Sequence, residues 1–415
     1  MPIRAADAWR TLLTPAAQPL IAAAADADPS APTDVERLRR LAPDADRAAD
    51  LVRAALQLAV ARRKAGFKGI PSAATLLADV DAVEQATAWP VAMYKARRLI
   101  AAWHRLPAER RGPIVDLCSG AGVDAMAIGD VGLPILAIDL DPARALMTVT
   151  NTRCPTACAD VATLDLAGHP FHLDPARRDA DTGRRARRLA DYAPDPTALA
   201  ARLAAAPFGV VKLSPAVDRD EADDLAHRFD ADAQLEFISH AGGLGHAHVW
   251  VDAADTLDLA AAPRAAALID DHGQATTLAG QPGRPNVAQL SEYLFAVDPA
   301  VERAELMHRL GLSSPHPALG LLTADAPVDS PWLTAFRVLD HQPYQPKRLK
   351  RNLAEHHAGV VEVKTRDQAV DPDRLQRDLR GHASADPANT LTVFVLRWDR
   401  ALFATVTRRV SSTRQ

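Results

Sequence analysis

Cysteine is scarce in this sequence. Cys118, Cys154 and Cys158 are the only three in 415 residues. Three thiols make no disulfide framework, so a reduced, cytoplasmic protein is expected. Cys154 and Cys158 have a spacing that metal sites use, yet no Cys or His pair stands nearby to complete a set. His240, His246 and His248 crowd a glycine loop, but no Cys or Asp is in register with them. They read as surface-loop histidines, and no metal is expected. Long hydrophobic runs are also missing. No stretch of about 20 apolar residues exists to span a bilayer as a helix. Asp7 and Arg10 interrupt the N-terminus where a signal peptide needs an apolar core. No membrane partner is expected. Charge of one sign is not in excess either. The net charge of −4 gives no global pull toward nucleic acid, so any RNA contact must come from local patches.

What remains is an ordinary globular composition, 48% hydrophobic and 24% charged, in a chain long enough for two or three cores. Residues 1–106 are rich in Ala, Leu and Arg at helical spacing, without strand alternation, and read as a helical domain. Residues 107–262 alternate short apolar runs with helical patterns, as a doubly wound α/β sheet requires. LEFISH and HAHVWV, joined by Ala241 to Gly245, read as a hairpin. Residues 263–415 open on a Pro/Gly stretch and then carry strand-like runs at Thr334–Val338, Gly359–Lys364 and Thr390–Arg397, an α+β pattern.

The segment IVDLCSGAGVDAM, Ile114 to Met126, is an apolar run ending in Asp116, then a glycine turn, then a helical pattern. Gly120 and Gly122 let the chain swing off the strand and leave room for a ligand. The next apolar run ends in Asp139, where an acid can take ribose hydroxyls. A nucleoside ligand is the economical reading. The glycine spacing overlaps a dinucleotide fingerprint, with Ala125 at its third place, which keeps a nicotinamide oxidoreductase as a rival. Asp116, however, would repel a pyrophosphate and suits a ligand with a cationic tail.

The chain resembles a class I S-adenosylmethionine-dependent methyltransferase, whose first motif reads D/E-x-x-x-G-x-G and here runs from Asp116 through Cys118 and Gly120 to Gly122. AIDLDP resembles the second strand of that family, with Asp139 on the ribose; ACADV the third, with Asp160 on the adenine; and PFHLDPARR the fourth, with the substrate-facing loop. More closely, EQAT…YKA, DLCSGAGVDA, LDPARR, KLSP, EYLFAVDPAV and FRVLD resemble bacterial methyltransferases that end in a THUMP-like domain. The resemblance covers nearly the whole length beyond about the first 30 residues. It implies a Rossmann-like methyltransferase sheet with a helical N-terminal domain and a THUMP-like α+β C-terminal domain. It also implies S-adenosyl-L-methionine as cofactor, bound by Asp116, Cys118, Gly120, Gly122, Asp139 and Asp160, and a possible RNA acceptor.

In amino-methylating relatives the loop after strand four reads N/D-P-P-Y/F/W. Here it is Asp174, Pro175, Ala176, Arg177, so the acid and first proline match while the aromatic is absent. Asp174 is the catalytic candidate, orienting a nucleophile or accepting its proton; otherwise it caps a turn. Pro175 and Arg177 are substrate-binding candidates, Arg177 as a guanidinium plane in place of the aromatic. Lys212 in KLSP either contacts substrate or pairs with Asp174. Arg177, Arg178, Arg184, Arg185, Arg187 and Arg188 either grip phosphates or form a solvated face balanced by Asp179, Asp181 and Asp191. Lys347, Arg348, Lys350 and Arg351, after Tyr344, are either an RNA contact or an exposed amphipathic helix. The altered loop leaves a non-catalytic RNA- or ligand-binding protein on the same fold as the alternative.

Overall fold

The computed structural model describes residues 2–166, 168–177, 187–229, 231–259, 261–317, 319–366, 369–380 and 389–410. The chain divides into two compact units, Met1–Pro263 with Ala267–Thr277, and Arg264–Ala266 with Leu278–Gln415. The helical N-terminal stretch therefore shares one unit with the sheet that follows it.

That stretch forms α1 (Pro2–Leu12), α2 (Gln18–Ala25), α3 (Pro32–Leu41), α4 (Ala48–Phe67), α5 (Val80–Gln85) and α6 (Trp89–Arg105). Strands β1 (Ile114–Leu117), β2 (Ile135–Asp139), β3 (Thr156–Cys158) and β4 (Phe171–Leu173) come next, with α7 (Val123–Asp130) and α8 (Pro142–Thr152) between them. A two-stranded ribbon, β5 (Ala176–Arg177) and β6 (Tyr192–Ala193), leads to α9 (Pro196–Leu203), β7 (Phe208–Leu213) and α10 (Arg219–His227). The expected hairpin is β8 (Asp232–His240) and β9 (Gly243–Asp252), followed by β10 (Arg264–Ile269) and β11 (Ala275–Gly280).

The sheet order is β11-β10-β8-β9-β7-β4-β1-β2-β3. β1 pairs in parallel with both β2 and β4, so the order in which strands are added reverses beside β1. A crevice opens at such a switch point, beyond the carboxyl ends of the strands. Strands β1, β4 and β7 are buried along their whole length, as strands covered on both faces must be. Gly209 in β7 is dictated by packing, because a Cβ there would lie 2.2 Å from the Phe171 ring on β4. Asp-Pro pairs start the helices. Asp141 accepts from Ala143 N and Asp195 from Thr197 N, each with proline in the first turn.

Helix α6 lays Ala92, Ala96, Leu99 and Ala102 on Ile114, Phe208, Val210 and Trp250 of the sheet. The same helix covers a buried polar cluster. Glu236 accepts from Tyr94 Oη (2.5 Å), Arg98 (3.1 Å) and Trp250 Nε1 (2.8 Å), and the His248 ring stands 3.5 Å away. Burial works to raise the Glu236 carboxyl, but Arg98, His248 and Tyr94 outweigh it and bring it to about 2. Burial holds His248 down at about 4.

Acidification is therefore expected to destabilise the protein in two windows. Between the ordinary imidazole value of 6.5 and about 4, the unfolded chain binds the His248 proton and the folded one does not. Stability then falls as the pH drops. The Glu236 contribution is full above 4.5 and is lost on the way down to about 2. Each group sets a slope of about 1.4 kcal/mol per pH unit across its window. Urea midpoints measured from about pH 7 to about pH 2 test both windows, and His248→Gln should flatten the upper one.

The second unit holds β12 (Tyr293–Val297), α11 (Pro299–Arg303), β13 (Leu321–Ala324), β14 (Leu333–Pro343), α12 (Pro346–Glu355), β15 (Val360–Thr365), α13 (Pro372–Arg380), β16 (Thr390–Trp398) and β17 (Ala401–Arg409). Its six-stranded sheet runs β13-β12-β14-β17-β16-β15. Leu349 and Leu353 of α12 and Leu375 and Leu379 of α13 pack on Leu391, Val393 and Val395 of β16.

Candidate active site

The turn after β1 is built from left-handed residues: Cys118 (φ +65°), Gly120 (+60°) and Gly122 (+79°). The amides of Cys118 and Ser119 donate to Ile138 O, and the Gly120 amide donates to Asp139 Oδ2 at 2.8 Å. The loop is thereby tied to the end of β2. The two glycines do different work. A Cβ on Gly120 would meet nothing within 4 Å, whereas one on Gly122 would lie 2.9 Å from Thr152 Cγ2 and 3.2 Å from Thr148 Cα. Gly120 borders open space, and Gly122 lets α8 approach.

Above this turn lies a cavity of about 850 Å³. Cys118, Gly120, Asp139, Asp160 and Asp174 line it, all five named by the sequence pattern. So do Asp124, Asp141 and Asp195, against one cation among the described residues, Arg144. Six carboxylates in one crevice favour a cationic ligand and oppose a pyrophosphate. The Cys118 thiol responds to the same field. Burial, then Asp139, Asp174, Asp116 and Asp160, push it well above the ordinary thiol range, so it stays protonated. Burial likewise raises Asp139, against the amides of Gly120 and Asp141 that bind its two oxygens. Asp160 caps the turn after β3, accepting from Ala162 N at 2.9 Å.

Asp116 sits elsewhere. It is 1% exposed and is not among the residues lining the cavity; its Oδ1 lies 2.7 Å from His172 Nδ1. The direct ligand contact expected of it is not the arrangement found. His172 Nε2 lies 2.9 Å from Lys95 Nζ, and Lys95 Nζ lies 2.6 Å from Asp124 Oδ1. Thr87 Oγ1 donates to Asp124 Oδ2 at 2.8 Å. An ammonium only donates, so His172 accepts at Nε2 and carries its proton on Nδ1, toward Asp116. A buried chain thus runs from Asp116 to Asp124, and Asp124 is the end that reaches the cavity.

Asp174 lines both this cavity and a second of about 290 Å³. Its Oδ2 accepts from Lys212 Nζ at 2.6 Å, and Lys212 also donates to Gln85 O at 3.0 Å. The ion-pair reading of Lys212 is therefore the one found, and Lys212 also lines the second pocket beside Pro175. Arg177 pairs through its backbone with Tyr192 in the β5–β6 ribbon, and its proposed stacking lies outside the described side chains. Arg178, Arg184 and Arg185 lie outside the described residues, as do Asp179 and Asp181. Arg187 and Arg188 are exposed, with Asp191 accepting from both of their amides. His246 and His248 belong to β9, not to a surface loop, and His248 is fully buried where β9 lies between Lys212 of β7 and Glu236 of β8. Among the described residues no group of three His, Cys, Asp or Glu could hold a metal, and no helix is long and apolar enough to cross a membrane.

Sequence reasoning missed Gln85, Thr87, Lys95, Asp124 and His172 as site residues. One signal was available. Lys95 falls on the apolar stripe of α6, between Ala92 and Leu99, where a lysine needs a buried partner.

The sheet order, the switch point at β1 and the acidic crevice define a class I methyltransferase architecture. An uncharacterized S-adenosylmethionine-dependent methyltransferase of Mycobacterium tuberculosis, found in two strains, is 31% identical over 323 residues, 75% of this chain and 83% of that protein. The crystal structure of a proposed methyltransferase from Porphyromonas gingivalis W83 has a TM-score of 0.66 at 16% identity, covering 99% of both chains. Residues 333–409 match the THUMP domain-like family. The chain belongs to the S-adenosylmethionine-dependent methyltransferases and carries a THUMP-like region at its C-terminal end.

Proposed function

We propose that the enzyme methylates RNA, with S-adenosylmethionine held in the cavity of about 850 Å³. The observation that carries the site assignment is the acidic crevice at the strand ends, whose wall at Asp174 is shared with a second pocket. Asp139 takes the ribose hydroxyls, Asp160 the adenine amine, and the turn at Cys118 and Gly120 the methionine end. Asp124, held by Lys95 and Thr87, supplies a further carboxylate to the cavity wall, and Asp116 acts through His172. The cofactor brings an activated methyl group with its own leaving group, so the protein has to position the acceptor and receive its proton. Asp174, which lines both pockets, takes that work in this reading.

Charge distribution supports RNA as acceptor. The whole chain has a net charge of −4, yet residues 333–409 contain 14 Lys and Arg against 9 Asp and Glu. Lys347, Arg348 and Arg351 are exposed on α12, while Leu349 and Leu353 are buried beneath it. Tyr344, half-buried, packs into that core, so the phosphate contacts belong to the helix face and not to a stacking tyrosine.

Mass spectrometry of nucleosides from cells with and without the gene tests the proposal. One methylated nucleoside should vanish in the deletion and return when purified enzyme and cofactor are added to the deletion RNA. Identical nucleoside profiles, with no labelled methyl entering that RNA, would remove RNA as the acceptor.

A further inference from the structure

The acceptor must lie beside the cofactor cavity, and the second pocket does. The two share Gln85, Ala86 and Asp174. At about 290 Å³ it stands at the lower end of the range of roughly 300–1,000 Å³ that holds drug-sized ligands. It has room for one small ring system, and the rest of a larger acceptor stays outside.

The lining suggests which ring. Val91, Pro175 and Pro215 supply apolar surface suited to the face of a planar heterocycle. Asp174, Lys212 and His246 are among its polar groups, which also include Lys68 and Glu84. A carboxylate only accepts and an ammonium only donates. Held side by side at 2.6 Å, Asp174 and Lys212 match an edge with an N–H next to a bare ring nitrogen or carbonyl. Nucleobases carry that edge; a phosphate lacks the donor, and an alkyl ammonium lacks the acceptor. Burial first, then the Lys212 cation, holds His246 well below the ordinary imidazole range. It therefore meets the ligand as a neutral group with one donor and one acceptor nitrogen.

We infer that this pocket seats the N–H-bearing edge of an unstacked nucleobase, that the methyl group goes to nitrogen, and that Lys212 and His246 select the base. This inference rests on the RNA reading above and deepens it. A paired base would first have to leave its helix to reach the pocket. In the transfer, the sulfur–methyl bond breaks with its electron pair kept by sulfur, while the nitrogen lone pair forms the new bond to carbon. The displaced N–H proton passes to the Asp174 carboxylate and from there to water.

Calorimetry on the full chain saturated with S-adenosylhomocysteine, titrated with adenosine, guanosine, cytidine and uridine in turn, tests the inference. At least one nucleoside should bind. Lys212→Met and His246→Asn should each weaken it about tenfold or more and leave the affinity for S-adenosylhomocysteine within about twofold, because neither residue lines the cofactor cavity. Should Lys212→Met fail to fold, His246→Asn carries the test alone. Four nucleosides that fail to bind the saturated wild type would overturn the inference, as would variants that bind them as well as the wild type does. A product methylated on carbon or on a ribose oxygen would overturn it too. Failure of the wild type to bind S-adenosylhomocysteine would instead strike the cofactor assignment beneath it.

Discussion

Asp174→Asn is expected to lower methyl transfer by about 10²–10⁴-fold, the usual contribution of a positioned proton acceptor. The amide oxygen can still accept from Lys212, so the contact at the wall between the two cavities survives while proton acceptance does not. Cofactor affinity should change much less. Asp174 is one of six carboxylates lining the cofactor cavity, and losing one costs at most about tenfold in binding, or about 1.4 kcal/mol. Single-turnover transfer from labelled cofactor to RNA of the deletion strain, beside calorimetric cofactor binding, separates the two effects. A variant that binds cofactor normally and transfers methyl at the full rate would take Asp174 out of the chemistry. Equal losses in both measurements would make it a cofactor ligand only.

The acids at Asp139, Asp160 and Asp174 were legible because each ends an apolar run, and a parallel sheet brings such ends to one crevice. The two glycines were legible as a turn, but their division of labour was not, since only α8 reveals what a Cβ on Gly122 would strike. Asp116 shows the limit of a motif. Its place in the pattern is right, yet side-chain direction alternates along a strand, and His172 on the neighbouring strand claims its carboxylate. The N-terminal contribution to the site was hidden for another reason. Gln85, Thr87 and Lys95 reach Lys212, Asp124 and His172 across separations of 37 to 127 residues, which no local pattern encodes. In the C-terminal unit, β14, β15 and β16 fell where strand-like runs were read. β17 was not read, although Ala404 to Thr407 form a continuous buried run within it; Asp399 and Arg400 alone separate it from β16, and so short a turn merges two strands into one run.

Lys95→Met is expected to destabilise the protein by about 3–5 kcal/mol, because it leaves a buried carboxylate without its cation. Lys95 is 1% exposed, and its ammonium meets both Asp124 and His172. Burial draws that ammonium below the ordinary lysine range, while Asp124 opposes the shift. Burial works to raise Asp124, but the Lys95 ammonium foremost outweighs it and holds the carboxyl well below the usual range. Removing one partner exposes the desolvation cost of the other, whereas removing both lets the site repack as an apolar one. Lys95→Met combined with Asp124→Leu should therefore recover part of the loss seen in Lys95→Met alone, a coupling that urea unfolding of the two singles and the double measures directly. Recovered stability should not bring back cofactor affinity, since Asp124 is the end of the chain that lines the cavity. A Lys95→Met protein within about 1 kcal/mol of the wild type would mean that Asp124 protonates or turns to solvent at little cost. The buried chain would then be a consequence of the packing under α6 and not what holds the cofactor turn in place.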